Sequence, residues 1–139
     1  MNATEAWAAV VTGEDAAIYA YSVAGAQVAA GSRQRAVAGL TAHQSNRSRA
    51  AALITELGDD PPPAAAGYVL PADIATAKVA RATMAGVDNA LVAIYADAAA
   101  ASGADLRRWA ARTAAEYAVR AIGWGADPQA FPAGPASAQ

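Results

Sequence analysis

The 139-residue chain has no cysteine, so disulfides, thiolate metal sites and cysteine nucleophiles are excluded. It has one histidine, one phenylalanine and a single lysine against nine arginines. Charge of either sign is scarce: the formal net charge is −2, too small to imply a polyanionic or polycationic partner. Arg33, Arg35, Arg47 and Arg49 crowd one segment. Without lysine runs or interleaved aromatics they do not make a nucleic-acid surface. Long apolar runs are also missing. Residues 16–32 carry no charge but are mostly Ala, Gly, Ser and Tyr, whereas a membrane span is longer and more apolar. The start, "MNATEAWAAVVTGED", has no basic stretch and carries Glu5 and Glu14, unlike a signal peptide. The glycines have no phosphate-loop spacing, and no Ser/His/Asp nucleophile set is supported. The expectation is a cytoplasmic protein that binds neither membrane nor nucleic acid.

What the chain does have is alanine, roughly a third of its residues. Alanine is the best helix former and β-branched residues are few, so an all-α fold with closely packed helices is expected. Four helices can be drawn. The first spans about Thr4 to Ala30, with Thr4 as N-cap and an inward stripe of Trp7, Val10, Glu14, Ile18, Tyr21, Gly25 and Val28 at helical spacing. The second spans about Ser32 to Leu57, with the stripe Ala36, Leu40, His43, Arg47, Ala50, Ile54 and Leu57, and Gly58 as its stop. The third starts near Asp73 as N-cap and ends by Gly103. The fourth spans about Asp105 to Gly123, with Leu106, Ala110, Thr113, Tyr117, Ala121 and Trp124 on one face.

The connections set the topology. "AAGSR" and "ASGAD" are short links, so helices one and two form one antiparallel hairpin and helices three and four another. Between them lies "GDDPPPAAAGYVLPAD", whose three prolines cannot continue a helix. Helices of about 25 residues are roughly 37 Å long, and about 15 extended residues reach roughly 50 Å. The linker at 58–72 can therefore run the length of a bundle, with Tyr68 and Leu70 touching helices. The bundle domain is expected over residues 1–125 and a Pro/Ala-rich tail over 126–139, from which Phe131 could dock.

The two hairpins resemble each other. "EDAAIYAY" and "DNALVAIY" each place a tyrosine seven residues after an acid, Glu14 to Tyr21 and Asp88 to Tyr95. Helix two has His43 and Arg47, and helix four has Glu116 and Arg120, both four apart. Charged groups on inward stripes are rarely buried unless paired or metal-bound. A buried polar network of Glu14, His43, Arg47, Asp88, Glu116 and Arg120 is therefore expected, with each arginine neutralising a carboxylate through a forked hydrogen bond. Arg49, about 160 degrees from the stripe, faces water. Tyr19, Tyr21, Tyr95 and Tyr117 read as core aromatics bonded to buried acids. Trp7, Trp109 and Trp124 fill the bundle ends or cover an oligomer contact.

"EDAAIYAYSVAGA", "HQSNR", "PPPAAAGYVLP" and "AAEYAVRAIGW", in that order and spacing, resemble the ferritin-like superfamily. They are most similar to alanine-rich bacterial ferritin-like domains of unknown function. The resemblance implies a four-helix bundle of two hairpins joined by one long crossover. Di-iron members use a Glu from each of two helices and a Glu-x-x-His from each of the others. On that pattern Glu14, His43, Asp88 and Glu116 match ligands, while Leu40 and Val119 stand where a Glu and a His should be. Two expectations result. The first is a non-catalytic bundle without cofactor, its metal site replaced by the polar network, acting as a homodimer or through a protein partner. The alternative is an oxidase or metal-storage protein holding Fe, Mn or Zn on Glu14, His43, Asp88 and Glu116.

Overall fold

A computed structural model describes residues 1–129. Among these residues there are four helices and no strand. They are α1 (Ala3–Ala24), α2 (Arg33–Glu56), α3 (Ala77–Ala100) and α4 (Ala104–Gly123). The start of α1 is capped by Asn2 rather than Thr4. Its side chain accepts from the Glu5 amide and the Glu5 carboxylate accepts from the Asn2 amide, a reciprocal pair that satisfies two otherwise unpaired donors. α1 also stops earlier than expected, and residues 25–32 turn the chain through a short 3-10 segment, Ala30–Ser32. α2 ends as expected. Gly58 takes φ 86, and the amides of Gly58 and Asp59 reach back to the carbonyls of Thr55 and Ile54, a closure that requires a left-handed residue at Gly58. α3 starts later than expected, because Thr76, not Asp73, accepts from the Val79 amide.

Cross-helix partners give the directions. From Trp7 to Tyr21, α1 meets Tyr95 and then Asp88 on α3. Glu14 meets His43 on α2, and Tyr21 packs against the earlier residue Gly39. Both α2 and α3 thus run antiparallel to α1, and so parallel to each other. α4 runs parallel to α1, with Trp109 beside Trp7 and Trp124 beside Tyr21. Successive parallel helices need a connection that returns along their length, and the non-helical residues 57–76 supply it. Tyr68 packs on this path, its ring 5.3 Å from that of Tyr19, over a groove lined by Ala9, Gly13, Leu91 and Ile94.

α1 lies close against α2 and α3, and α3 against α4. Small residues permit the approach: a Cβ on Gly13 would meet Leu91 at 2.8 Å. α2 and α4 hold their backbones further apart, and larger side chains bridge them. The apolar core falls into two parts. One contains Trp7, Val10, Val11, Ile54, Leu91, Tyr95 and Tyr117; the other contains Tyr21, Val28, Met84 and Trp124. Trp7 and Trp124 are buried near opposite ends, so two of the three tryptophans fill the ends of the bundle. Leu57, expected on the inner stripe of α2, is 47 % exposed, because the chain is already leaving the helix there. Phe131 lies outside the described residues.

Candidate functional site

Between the two apolar clusters sits a polar centre built on all four helices. Glu14, His43 and Asp88 have no measurable solvent exposure. His43 lies between the two acids. Its Nδ1 is 2.6 Å from Glu14 Oε2 and its Nε2 is 2.9 Å from Asp88 Oδ1. The remaining carboxylate oxygens are occupied too. Tyr95 and Tyr117 both donate to Glu14 Oε1, at 2.7 and 2.6 Å, and Tyr21 donates to Asp88 Oδ2 at 2.6 Å.

Outer partners orient two of these hydroxyls. The indole of Trp124 can only donate, and it donates to the Tyr21 oxygen at 2.9 Å, so the Tyr21 proton points at Asp88. The Asn46 amide donates to the Tyr117 oxygen at 2.8 Å, so the Tyr117 proton points at Glu14. The three tyrosine hydroxyls all donate inward to the acids. Where both carboxylates accept from the ring, both nitrogens of His43 carry hydrogen, which is the imidazolium form, and the two short carboxylate contacts favour that form.

The electrostatics agree. Burial alone would lower the His43 pKa; the hydrogen bonds to Asp88 and Glu14 and the charges of both acids reverse this, and it ends above its usual 6.5. Burial first, and then the negative charge of Glu14, hold the Tyr95 and Tyr117 hydroxyls far above the usual phenol range. Burial and then Asp88 do the same for Tyr21. All three remain donors at any working pH. Two carboxylates against one imidazolium leave one negative charge uncompensated, and Arg120 opposes it. Its guanidinium carbon lies 5.4 Å from the centre of the Tyr117 ring, and its charge acts on the Tyr21 and Tyr117 hydroxyls in the opposite sense to the acids. Among the described residues, Arg120 Nη1 is a buried side-chain polar atom without a hydrogen-bond partner.

Of the six expected network residues, Glu14, His43 and Asp88 meet directly and Arg120 joins through its field. Arg47 and Glu116 do not join. Arg47 pairs with Asp15, Nε to Oδ1 at 3.0 Å, at the half-buried margin one residue round α1 from Glu14. Glu116 is exposed; one residue is about 100 degrees of helix, and the inward position belongs to Tyr117. Arg49 is exposed as expected, but it stacks over Trp109 at 3.8 Å. Asp15, Asn46 and the Trp124 indole were missed. Tyr117 is the core aromatic bonded to a buried acid that was expected, and the repeat holds a further signal for it. Glu14 to Asp88 and Tyr21 to Tyr95 are both separated by 74 residues, and 74 residues beyond His43 is Tyr117. Pairing His43 with Glu116 slips that register by one. The internal repeat is thus physical: the tyrosine of each half bonds the acid of the other.

Gly39 makes the centre possible. A Cβ there would overlap the Tyr21 ring, which must pass over α2 to reach Asp88. Gly39→Ala is expected to displace Tyr21 and destabilise the protein by about 1–3 kcal/mol, whereas Gly31→Ala, with open space around it, changes little. Urea midpoints for the two variants check this.

The donor set, as arranged, does not fit a divalent metal. A ligating histidine offers a nitrogen lone pair, and both nitrogens here are bonded to carboxylates. Glu14 and Asp88 also lie on opposite edges of the ring. Among the described residues no three His, Asp or Glu side chains converge on a common point where an ion could sit.

A family described as "Domain of unknown function (DUF4439)" has a profile that matches residues 6–136. A solved structure, that of a conserved hypothetical protein, rv2844, from Mycobacterium tuberculosis, is similar to this chain. It superposes with TM-score 0.83 at 27 % identity, over 88 % of this chain and 93 % of that one. No curated protein matches at a significant level. No described helix is long and apolar enough to cross a membrane.

Proposed function

The chain belongs to the DUF4439 family, and from that premise we propose that it is a non-catalytic ferritin-like bundle in which the His43 imidazolium takes the place of a metal. One observation carries this: both nitrogens of His43 are held by buried carboxylates. The cation between Glu14 and Asp88 is then supplied by the protein itself. Buried ion sets of this kind commonly cost as much in desolvation as they return in attraction, so the role proposed for this one is to fix a single helix register. In an alanine-rich bundle, where many registers pack almost equally well, such a pin has a clear use.

The protein then acts through its surface, by pairing with a second copy or with a protein partner. Val119 and Ile122 on α4 are 70 % and 44 % exposed, and these outward aliphatic side chains support association through α4. A protein that sediments as a monomer at tens of micromolar, and still does so after Val119→Glu, would count against self-association.

Elemental analysis of protein made in medium supplemented with iron, manganese and zinc tests the core of the proposal. Far less than one metal per chain is expected. Near-stoichiometric metal that disappears in Glu14→Ala would restore the oxidase or storage alternative.

A further inference from the structure

The largest side chains of the core form a continuous column of rings. Trp109 stacks on Trp7 with centroids 4.6 Å apart and planes 8° from parallel. Both meet Tyr95 edge-on, at 6.3 and 6.2 Å. Tyr95 meets Tyr117 at 5.6 Å. Beyond His43, 4.7 Å from Tyr117, the column continues through Tyr21 to Trp124. Trp109 is the half-exposed end, while Trp7, Tyr95 and Tyr117 are buried.

Aliphatic packing alone does not require rings in contact from the surface to the centre, nor hydroxyls aimed at one carboxylate oxygen. We propose that this column carries a single oxidising equivalent from Trp109 inward and holds it on the Tyr95/Tyr117 pair bonded to Glu14.

Charge placement gives the direction. Arg49 lies 3.8 Å over Trp109, and Arg35 and Arg81 each lie 5.4 Å from the Trp124 ring. A neighbouring cation disfavours a positive radical on either terminal tryptophan, the more so where water is excluded. The middle of the column holds Glu14 and Asp88 against His43 and the more distant Arg120, so a positive charge is less costly there.

The chemistry balances. A one-electron oxidant, such as an oxygen-centred or organic radical at the surface, takes an electron from Trp109 and is reduced by one electron. Tyr95 or Tyr117 returns an electron through the rings in contact. As it does so, its hydroxyl proton moves along the existing 2.7 or 2.6 Å bond to Glu14 Oε1. The products are the restored tryptophan, a neutral tyrosyl radical and a protonated Glu14. The proposal does not depend on the state of association or on metal.

Laser-flash oxidation with photogenerated ruthenium(III) tris-bipyridine, read by transient absorption, tests it. Replacing the two tyrosines outside the column, Tyr19→Phe/Tyr68→Phe, leaves only buried tyrosines. That protein is expected to form a tryptophan radical that converts to tyrosyl. Adding Trp109→Phe, which keeps an aromatic ring at this partly buried position, should strongly reduce the tyrosyl yield. Adding Tyr95→Phe/Tyr117→Phe instead should leave the tryptophan radical unconverted. No tyrosyl signal in the first background, or a yield indifferent to Trp109→Phe, overturns the proposal.

Discussion

Replacing Glu14 with alanine is expected to destabilise the protein by about 3–5 kcal/mol, the usual result of removing one partner of a buried charge pair. The carboxylate serves three donors at once: His43, Tyr95 and Tyr117. Its loss leaves the Nδ1 side of the His43 ring and two phenol protons without partners, and each unmet buried donor costs about 1–3 kcal/mol. Domains of this size have total stabilities of about 5–15 kcal/mol, so Glu14→Ala stands near the limit of folding. Asp15→Ala, one position along, removes only the marginal pair with Arg47, and a change of less than about 1 kcal/mol is expected. Denaturant midpoints at constant m-value compare the two. Equal effects would mean that the buried acid is not the one holding the bundle.

A second large effect concerns pH. His43 has a folded-state pKa above its ordinary 6.5, so the folded protein holds its proton more tightly than the unfolded chain does. Stability from this group is therefore fully present below about pH 6.5 and is lost as pH rises through the folded-state value. Every group facing the ring bears on this. Burial opposes the proton and Asp88 and Glu14 hold it, Arg120 acts on the Tyr21 and Tyr117 hydroxyls, and Tyr21, Tyr95 and Tyr117 stay protonated throughout because burial first and then the acids raise them. The stability difference between wild type and His43→Gln, which cannot take up the proton, should shrink steadily as pH rises above neutral. A difference that is flat from pH 6 to 9 would show that folding does not raise the His43 pKa.

Much of the fold was legible from the residues. Pro61 to Pro63 cannot enter a helix and Gly58 is a natural stop, so the crossover and the four helices around it could be placed before any coordinates. The inward stripe of α2 put His43 at the centre, because Ala36, Ala50 and Ile54 share its face and are buried with it. Glu14 and Asp88 were legible for the same reason. Helix ends were less so. Thr4, Asn2, Asp73 and Thr76 are all capable caps, and the choice among them depends on the geometry of the entering chain. The second layer was legible in part. Alanine on every side of Glu116 and Tyr117 blurs the apolar stripe of α4: Tyr117 was legible on the inward face, where it is buried, but Glu116 at the edge of that face was counted into the network although it is exposed. Arg47 failed differently. A long side chain can leave its own stripe, and it reached outward to Asp15 rather than inward. Trp124 and Asn46 bond to tyrosine oxygens rather than to charges, which no pattern of ionisable residues reveals.

The most direct test of the central claim uses the chain's one histidine. In uniformly nitrogen-15-labelled protein, the side-chain imidazole signals can come from no other folded residue. At pH 7.5, above the usual histidine range, both ring nitrogens are expected to show imidazolium shifts, each coupled to its own slowly exchanging proton, one bonded to Glu14 and one to Asp88. A single protonated nitrogen beside an unprotonated one at that pH would contradict the account, because a neutral ring could not serve both acids.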